Sequence, residues 1–227
     1  MTKVKICGLR IINDALAAAE AGADFLGIVF EPRSRRYVDA DEARNLVRSF
    51  RERWGQDGPR WVGVFANQPL EEVQRVLAHC DLDMAQLSGS EPPEYCRQVA
   101  KPVIKVVHVR SDAPAQNILT EVGDSLSLYR GDGHMCMLDT FKQGLLGGTG
   151  QVFDWDVARA LALEHPILLA GGLTRDNVAE AMRQVGSWGL DVSSGVETDG
   201  QKDAAKIVDF IQQVRHAEES LKQSAGA

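Results

Sequence analysis

Short apolar runs recur along the chain, each followed by a polar or glycine-rich break and then an amphipathic stretch. Phe25-Leu-Gly-Ile-Val-Phe30, Trp61-Val-Gly-Val-Phe-Ala66 and the β-branched run Val103 to Val109 have the unbroken apolar character of strands buried on both faces of a parallel sheet. Val4–Leu9, Met84–Leu87, Met135–Asp139, Ile167–Ala170 and the run starting at Gly189 complete a set of eight. Helical patterns fall between them. The first opens at Asn13-Asp14 and ends before Gly22; others cover about Asp41–Arg53, Pro69–His79 and Pro92–Val99. A weaker one lies near Ala113–Val122, followed by Asp154–Leu163, Arg175–Gln184 and Ala204–Glu219, with Ser224–Ala227 expected as a frayed tail.

Eight strand–helix alternations predict an α/β fold with a parallel sheet, and that number predicts closure into a single (β/α)8 barrel over residues 1–227. The competing open, doubly wound sheet lacks its G-x-G-x-x-G in the first strand–helix turn. No linker or low-complexity tract divides the chain. Lys and Arg number 25 against 32 Asp and Glu, a net charge of −7, so nothing draws the chain as a whole to nucleic acid or anionic lipid. Cys7, Cys80, Cys96 and Cys136 have no zinc or C-x-x-C spacing and read as free thiols in a reducing compartment. No signal-peptide pattern and no membrane-length apolar run is expected, which places the protein in the cytoplasm.

In such a barrel, working residues sit at the C-terminal ends of strands. Cys7 ends the first strand and Asp139 the sixth, three positions apart around the ring. Side chains alternate along a strand, so Cys7 shares a face with Lys5 and Lys3. Charged lysines are not expected to point at an apolar helix layer, so that face should look into the barrel. A thiol and a carboxyl across a cavity form a base–acid pair, and Lys5 is positioned to lower the thiol pKa. A lone cysteine is more often a small buried hydrophobe, the reading for the other three.

Arg33, Arg35 and Arg36 crowd the loop after the second strand, where one inward guanidinium could hold a carboxylate. After strand seven come Gly171 and Gly172, with Thr174 as the expected helix N-cap; after strand eight come Ser193-Ser194-Gly195. Two small-residue corners in succession match the phosphate grip of these barrels. The histidines have no metal-ligand spacing, so no metal site is expected.

Together these residues resemble the phosphoribosylanthranilate isomerase family of tryptophan biosynthesis. The resemblance rests on Lys5-Ile-Cys-Gly-Leu9, Phe30-x-Pro-x-Ser-x-Arg-Tyr-Val38, Leu138-Asp-Thr140, Gly147-Gly-Thr-Gly-x-x-Phe-Asp-Trp155, Leu169-Ala-Gly-Gly-Leu173, Asp191-Val-Ser-Ser-Gly-Val-Glu197 and Gly200-x-Lys-Asp203, in that order. It implies a cofactor-free Amadori rearrangement of N-(5-phosphoribosyl)anthranilate, a phosphorylated small molecule. By that resemblance Asp139 is the general acid and Cys7 the general base. Arg36 holds the anthranilate carboxylate, Asp191 lines the pocket, and Gly171, Gly172, Ser194 and Gly195 hold the phosphate. Gly147–Gly150 is similar to the family's mobile lid. Three positions depart from the family pattern: Ser88 stands where a histidine is usual, and Leu146 and Arg35 where prolines are.

Monomer and homodimer are both left open by the sequence. A related sugar-phosphate barrel would carry an Asp where Cys7 stands, or a metal. A non-catalytic barrel sensing a phosphorylated metabolite differs in binding without turnover.

Overall fold

In the computed structural model, which describes residues 1–109, 114–139 and 155–225, the apolar runs become eight parallel strands, each hydrogen-bonded to its sequence neighbours. They are β1 (Lys3–Cys7), β2 (Phe25–Val29), β3 (Arg60–Phe65), β4 (Met84–Leu87), β5 (Val103–His108), β6 (Met135–Asp139), β7 (Ile167–Ala170) and β8 (Gly189–Val192). β8 returns to β1, with Lys3 opposite Gly189 and Ile6 opposite Val192, so the sheet has no free edge. Because every pairing is parallel, all eight C-terminal ends lie on one rim.

Strand alternation sorts the core into two layers. Phe25, Val62, Met84, Ile104, Val106, Met137, Leu168 and Ala170 fill the barrel interior. The intervening residues, among them Val4, Ile6, Leu26 and Ile28, pack outward beneath the helices. Above the interior plug, toward the C-terminal rim, Cys7, Val29 and Val64 form a small separate cluster. The apolar filling therefore ends in a floor on which reacting groups can be mounted.

Among the described residues eight helices follow the strands: α1 (Ile12–Ala21), α2 (Ala40–Trp54), α3 (Leu70–His79), α4 (Pro93–Gln98), α5 (Ala115–Gly131), α6 (Trp155–Glu164), α7 (Val178–Val185) and α8 (Ala204–Ala225). Gly22 ends α1 in the left-handed region at φ 96°, a conformation in which a Cβ would be strained. Asp39 caps α2 by accepting from the amides of Asp41 and Glu42 at 2.9 and 3.0 Å, worth about 1 kcal/mol for such a cap.

Three helix boundaries differ from the sequence reading by three residues or more. α5 continues past Gly123 to Gly131, because Ile118, Val122 and Leu126 keep a buried stripe at four-residue spacing through the glycine. α8 runs on to Ala225, so its helical backbone includes Ser224 and Ala225 of the expected frayed tail. α7 begins at Val178 rather than Arg175, and its N-cap is Asn177, not Thr174. The Asn177 side chain accepts from the Thr174 amide at 2.8 Å and donates to the Gly172 carbonyl at 3.0 Å, holding the corner as a turn.

One element was not foreseen: a hairpin of β9 (Glu197–Thr198) and β10 (Gln201–Lys202). Its tip is Asp199-Gly200 with φ of 51° and 78°, the pair of positive φ angles that a two-residue turn between right-twisted strands requires.

Candidate active site

Cys7 is the last residue of β1 and Asp139 the last of β6. Asp139 alternates in phase with Met137, which belongs to the interior plug, and Cys7 in phase with Lys5; both side chains therefore belong to the inward set at the C-terminal rim. Cys7 is 6% exposed and Asp139 half-buried. His108 ends β5 directly beside Asp139 in the ladder, and its Nε2 lies 2.8 Å from the Ser88 carbonyl oxygen. Gly27, opposite Cys7 on β2, makes room for the sulfur. A Cβ there would lie 3.1 Å from Cys7 Sγ and 3.2 Å from Lys5 Nζ.

Lys5 is fully buried inside the barrel, and its Nζ lies 2.6 Å from Asp191 Oδ1 on β8. Burial alone would lower the Lys5 pKa, but the attraction of Asp191, with a smaller contribution from Cys7, outweighs it and holds the ammonium above its ordinary value. The expectation that Lys5 lowers the Cys7 pKa holds only as a partial effect. Burial pushes the thiol up, Lys5 pulls it down, Asp191 pushes it up again, and the net result is above the ordinary value. In the free site, burial wins and Cys7 is a neutral thiol at pH 7.

The inward direction inferred for the Cys7 face is correct, but the premise behind it is not general. Lys105 on β5 points outward, between the inward Ile104 and Val106, and is buried in the helix layer. Its cost is met by Glu91 Oε2 at 2.7 Å, the Gly89 carbonyl at 2.6 Å and the face of Tyr129.

The three arginines after β2 divide by direction. The Arg33 side chain is 83% exposed and pairs with Glu31; that of Arg35 is 58% exposed; that of Arg36 is 21% exposed and turns toward β1. Its stem lies over Gly8, where a Cβ would come within 2.5 Å of Arg36 Cδ, and Gly8 itself has φ 83°. Arg36 Nε and Nη2 both bond Glu197, at 2.6 and 3.0 Å.

After β7, Gly171 and Gly172 have φ of 95° and 69°. After β8, Ser194–Val196 form a single 3₁₀ turn, whose first amides have no partner within the turn. The two corners are packed backbone to backbone. A Cβ on Gly195 would overlap the Leu173 carbonyl oxygen, so this position needs glycine to let the corners meet. Both sit at the same rim as Cys7 and Asp139. The proposed lid residues 147–150 lie outside the described residues, as do Thr140 and Leu146.

The sequence reading gave no role to three residues at this rim. Gln86, one residue from the end of β4 and 5% exposed, faces inward; its Nε2 donates to Ser88 Oγ at 3.1 Å, while its Oε1 has no partner among the described residues. Glu197 and Lys202 lie opposite each other on the hairpin, 2.8 Å apart, and Lys202 also donates to the Ser193 carbonyl at 2.8 Å. Asp199-Gly200 was the available signal for that hairpin. The orphan Gln86 oxygen has no sequence signature, since it depends on what surrounds the side chain.

A closed (β/α)8 barrel with a thiol, a carboxyl and an inward guanidinium at the C-terminal rim, next to two small-residue corners, defines a class: barrel enzymes acting on small anionic substrates. Comparison with known proteins narrows it. Residues 4–213 match the family model of N-(5'phosphoribosyl)anthranilate (PRA) isomerase. The N-(5'-phosphoribosyl)anthranilate isomerases of Dehalococcoides mccartyi and Trichlorobacter lovleyi are 43% and 45% identical, covering 96% and 97% of this chain and 98% and 100% of theirs. Among solved structures, the phosphoribosyl anthranilate isomerase of Thermotoga maritima superposes with a TM-score of 0.82 at 34% identity, over 95% of this chain and all of that one. A further phosphoribosyl anthranilate isomerase structure, in complex with reduced 1-(o-carboxyphenylamino)-1-deoxyribulose 5-phosphate, has a TM-score of 0.79 at 32% identity, again over 95% and 100% of the two chains. The chain belongs to the N-(5'-phosphoribosyl)anthranilate isomerase family.

Proposed function

We infer that this chain catalyses the Amadori rearrangement of N-(5-phosphoribosyl)anthranilate to 1-(2-carboxyphenylamino)-1-deoxyribulose 5-phosphate, a step of tryptophan biosynthesis, by general acid–base catalysis. The observation that carries this reading is the pairing of Cys7 and Asp139, both ending inward-facing strand alternations on one rim.

Asp139 donates a proton to the ribose ring oxygen, the C1–O bond breaks, and the anilino nitrogen lone pair forms an iminium. Cys7, its own thiol proton released to solvent, then takes the C2 proton as thiolate, the C–H electrons move toward nitrogen, and the resulting enolamine tautomerises to the ketone. The neutral thiol of the free site fits this order of events. The cationic iminium beside the sulfur favours the thiolate, opposing the burial that raises its pKa. Lys5, ion-paired below, keeps a second positive charge within reach of the sulfur.

Arg36 binds the anthranilate carboxylate through the guanidinium edge that Glu197 leaves open, and Asp191 lines the pocket while orienting Lys5. Gly171, Gly172, Ser194 and Gly195 hold the phosphate with backbone amides, which the contact of Gly195 with Leu173 brings together. The four cysteines are free and buried, in keeping with a cytoplasmic enzyme, and no helix among the described residues is long and apolar enough to cross a membrane. A fluorescence assay of the anthranilate riboside tests the reading. Conversion to the deoxyribulose product supports it; binding without product favours a sensor.

A further inference from the structure

Glu197 lies outside the groups assigned to substrate, yet its side chain is almost wholly buried and meets three cations. Oε1 accepts from Arg36 Nε at 2.6 Å and Lys202 Nζ at 2.8 Å; Oε2 accepts from Arg36 Nη2 at 3.0 Å and Arg35 Nη2 at 2.5 Å. The chain of bonds continues inward. Lys202 donates to the Ser193 carbonyl at 2.8 Å, and Ser193 Oγ donates to the backbone carbonyl of Cys7 at 3.0 Å. One carboxylate thus joins the arginine loop after β2, the corner after β8 and the end of β1.

We propose that Glu197 is a positioning residue for substrate recognition: it grips the side-on edge of the Arg36 guanidinium so that the end-on edge, Nη1 with the second Nη2 proton, is presented to the aromatic carboxylate. This rests on the reading of Arg36 given above. An arginine free to sample rotamers loses that freedom when a ligand binds, whereas a buried bidentate partner removes it on folding. Gly8 and Glu197 fix the two ends of the side chain, the stem by close packing and the head by a fork-to-fork pair. One anion among three cations leaves the cluster positive, so an incoming carboxylate is still attracted. Burial would raise the Glu197 pKa, but Arg36 and Lys202 outweigh it and keep the group ionised at neutral pH.

The test measures binding of two ligands to the full-length protein: the reduced product analogue carrying its 2-carboxyphenyl group, and the same compound without the carboxyl. Arg36→Met should weaken the first tenfold or more and leave the second within twofold. Glu197→Gln, of the same shape but uncharged, should show the same selective loss, and the double variant should bind no more weakly than Arg36→Met alone. Equal weakening of both ligands by Glu197→Gln, or no change in either, overturns the proposal. If Arg36→Met itself fails to discriminate, the Arg36 reading is wrong and the role of Glu197 falls with it. A measurement on the unaltered protein covers the case in which Glu197→Gln does not fold. The Arg36 Nε–H resonance of the ligand-free enzyme should exchange slowly with water; a fast-exchanging, averaged signal overturns the proposal.

Discussion

Lys5 Nζ and Asp191 Oδ1 meet at 2.6 Å inside the barrel, joining adjacent strands β1 and β8 one inward step below the Cys7 thiol. The lysine side chain is fully buried and the aspartate nearly so, so neither charge has solvent to replace its partner. Lys5→Met should therefore cost about 3–5 kcal/mol in urea unfolding, the size expected when half of a buried ion pair is removed. It should also move alkylation of Cys7 to higher pH, since the ammonium pulls the thiol pKa down and the unpaired carboxylate pushes it up. An unchanged alkylation profile would remove Lys5 from the electrostatics of the site.

Cys7→Ala should lower the turnover number by about 10²–10⁴, the usual contribution of a general base, with a much smaller change in KM. Because the thiol of the free site ionises above its ordinary value of 9.0, kcat/KM of the unaltered enzyme should still be rising with pH on the alkaline side. A turnover number in Cys7→Ala equal to the parent's would reject the base assignment.

Gly195→Ala places a methyl group on the Leu173 carbonyl oxygen, and backbone on both sides leaves little room for either to move. Separation of the two corners should reduce affinity for inorganic phosphate and phosphorylated ligands together. Calorimetric titration checks this; parent-like phosphate affinity would place the phosphate elsewhere on the rim.

Much of this was legible in the sequence, and the reasons are physical. Strands buried on both faces must be apolar throughout, so the runs at Phe25, Trp61, Val103 and Ile167 mark the barrel staves directly. Strand period and direction then place Cys7 and Asp139 on the inward set of one rim. What sequence could not supply was the balance of charges. The lysine rule used to orient β1 fails at Lys105, because Glu91 arrives from a different loop to neutralise it. Likewise the pull of Lys5 on Cys7 is smaller than the push of burial, a comparison that needs the packed interior. The two-residue strands of the β9–β10 hairpin are too short to show a period, which hid the pairing of Glu197 with Lys202 although Asp199-Gly200 marked the turn.

Alkaline conditions should loosen the fold. Burial raises Cys80, Cys96 and Cys136 from 9.0 to about 11 each. The folded chain holds these protons more tightly than the unfolded chain does. Their stabilisation is therefore complete below pH 9 and falls away as the pH rises toward 11. Urea midpoints should decline between pH 9 and about 11, and Cys136→Ala should flatten that decline. An equally steep decline in a variant lacking all three thiols would assign it to other groups.

The most direct measurement is single-turnover fluorescence of N-(5-phosphoribosyl)anthranilate with the parent enzyme, Cys7→Ala and Asp139→Asn, alongside binding of the reduced product analogue. The parent should convert the substrate, and each variant should bind the analogue within severalfold of the parent while losing turnover. Normal turnover in either variant, or no turnover by the parent, would contradict a sulfur base and a carboxyl acid acting across one barrel mouth.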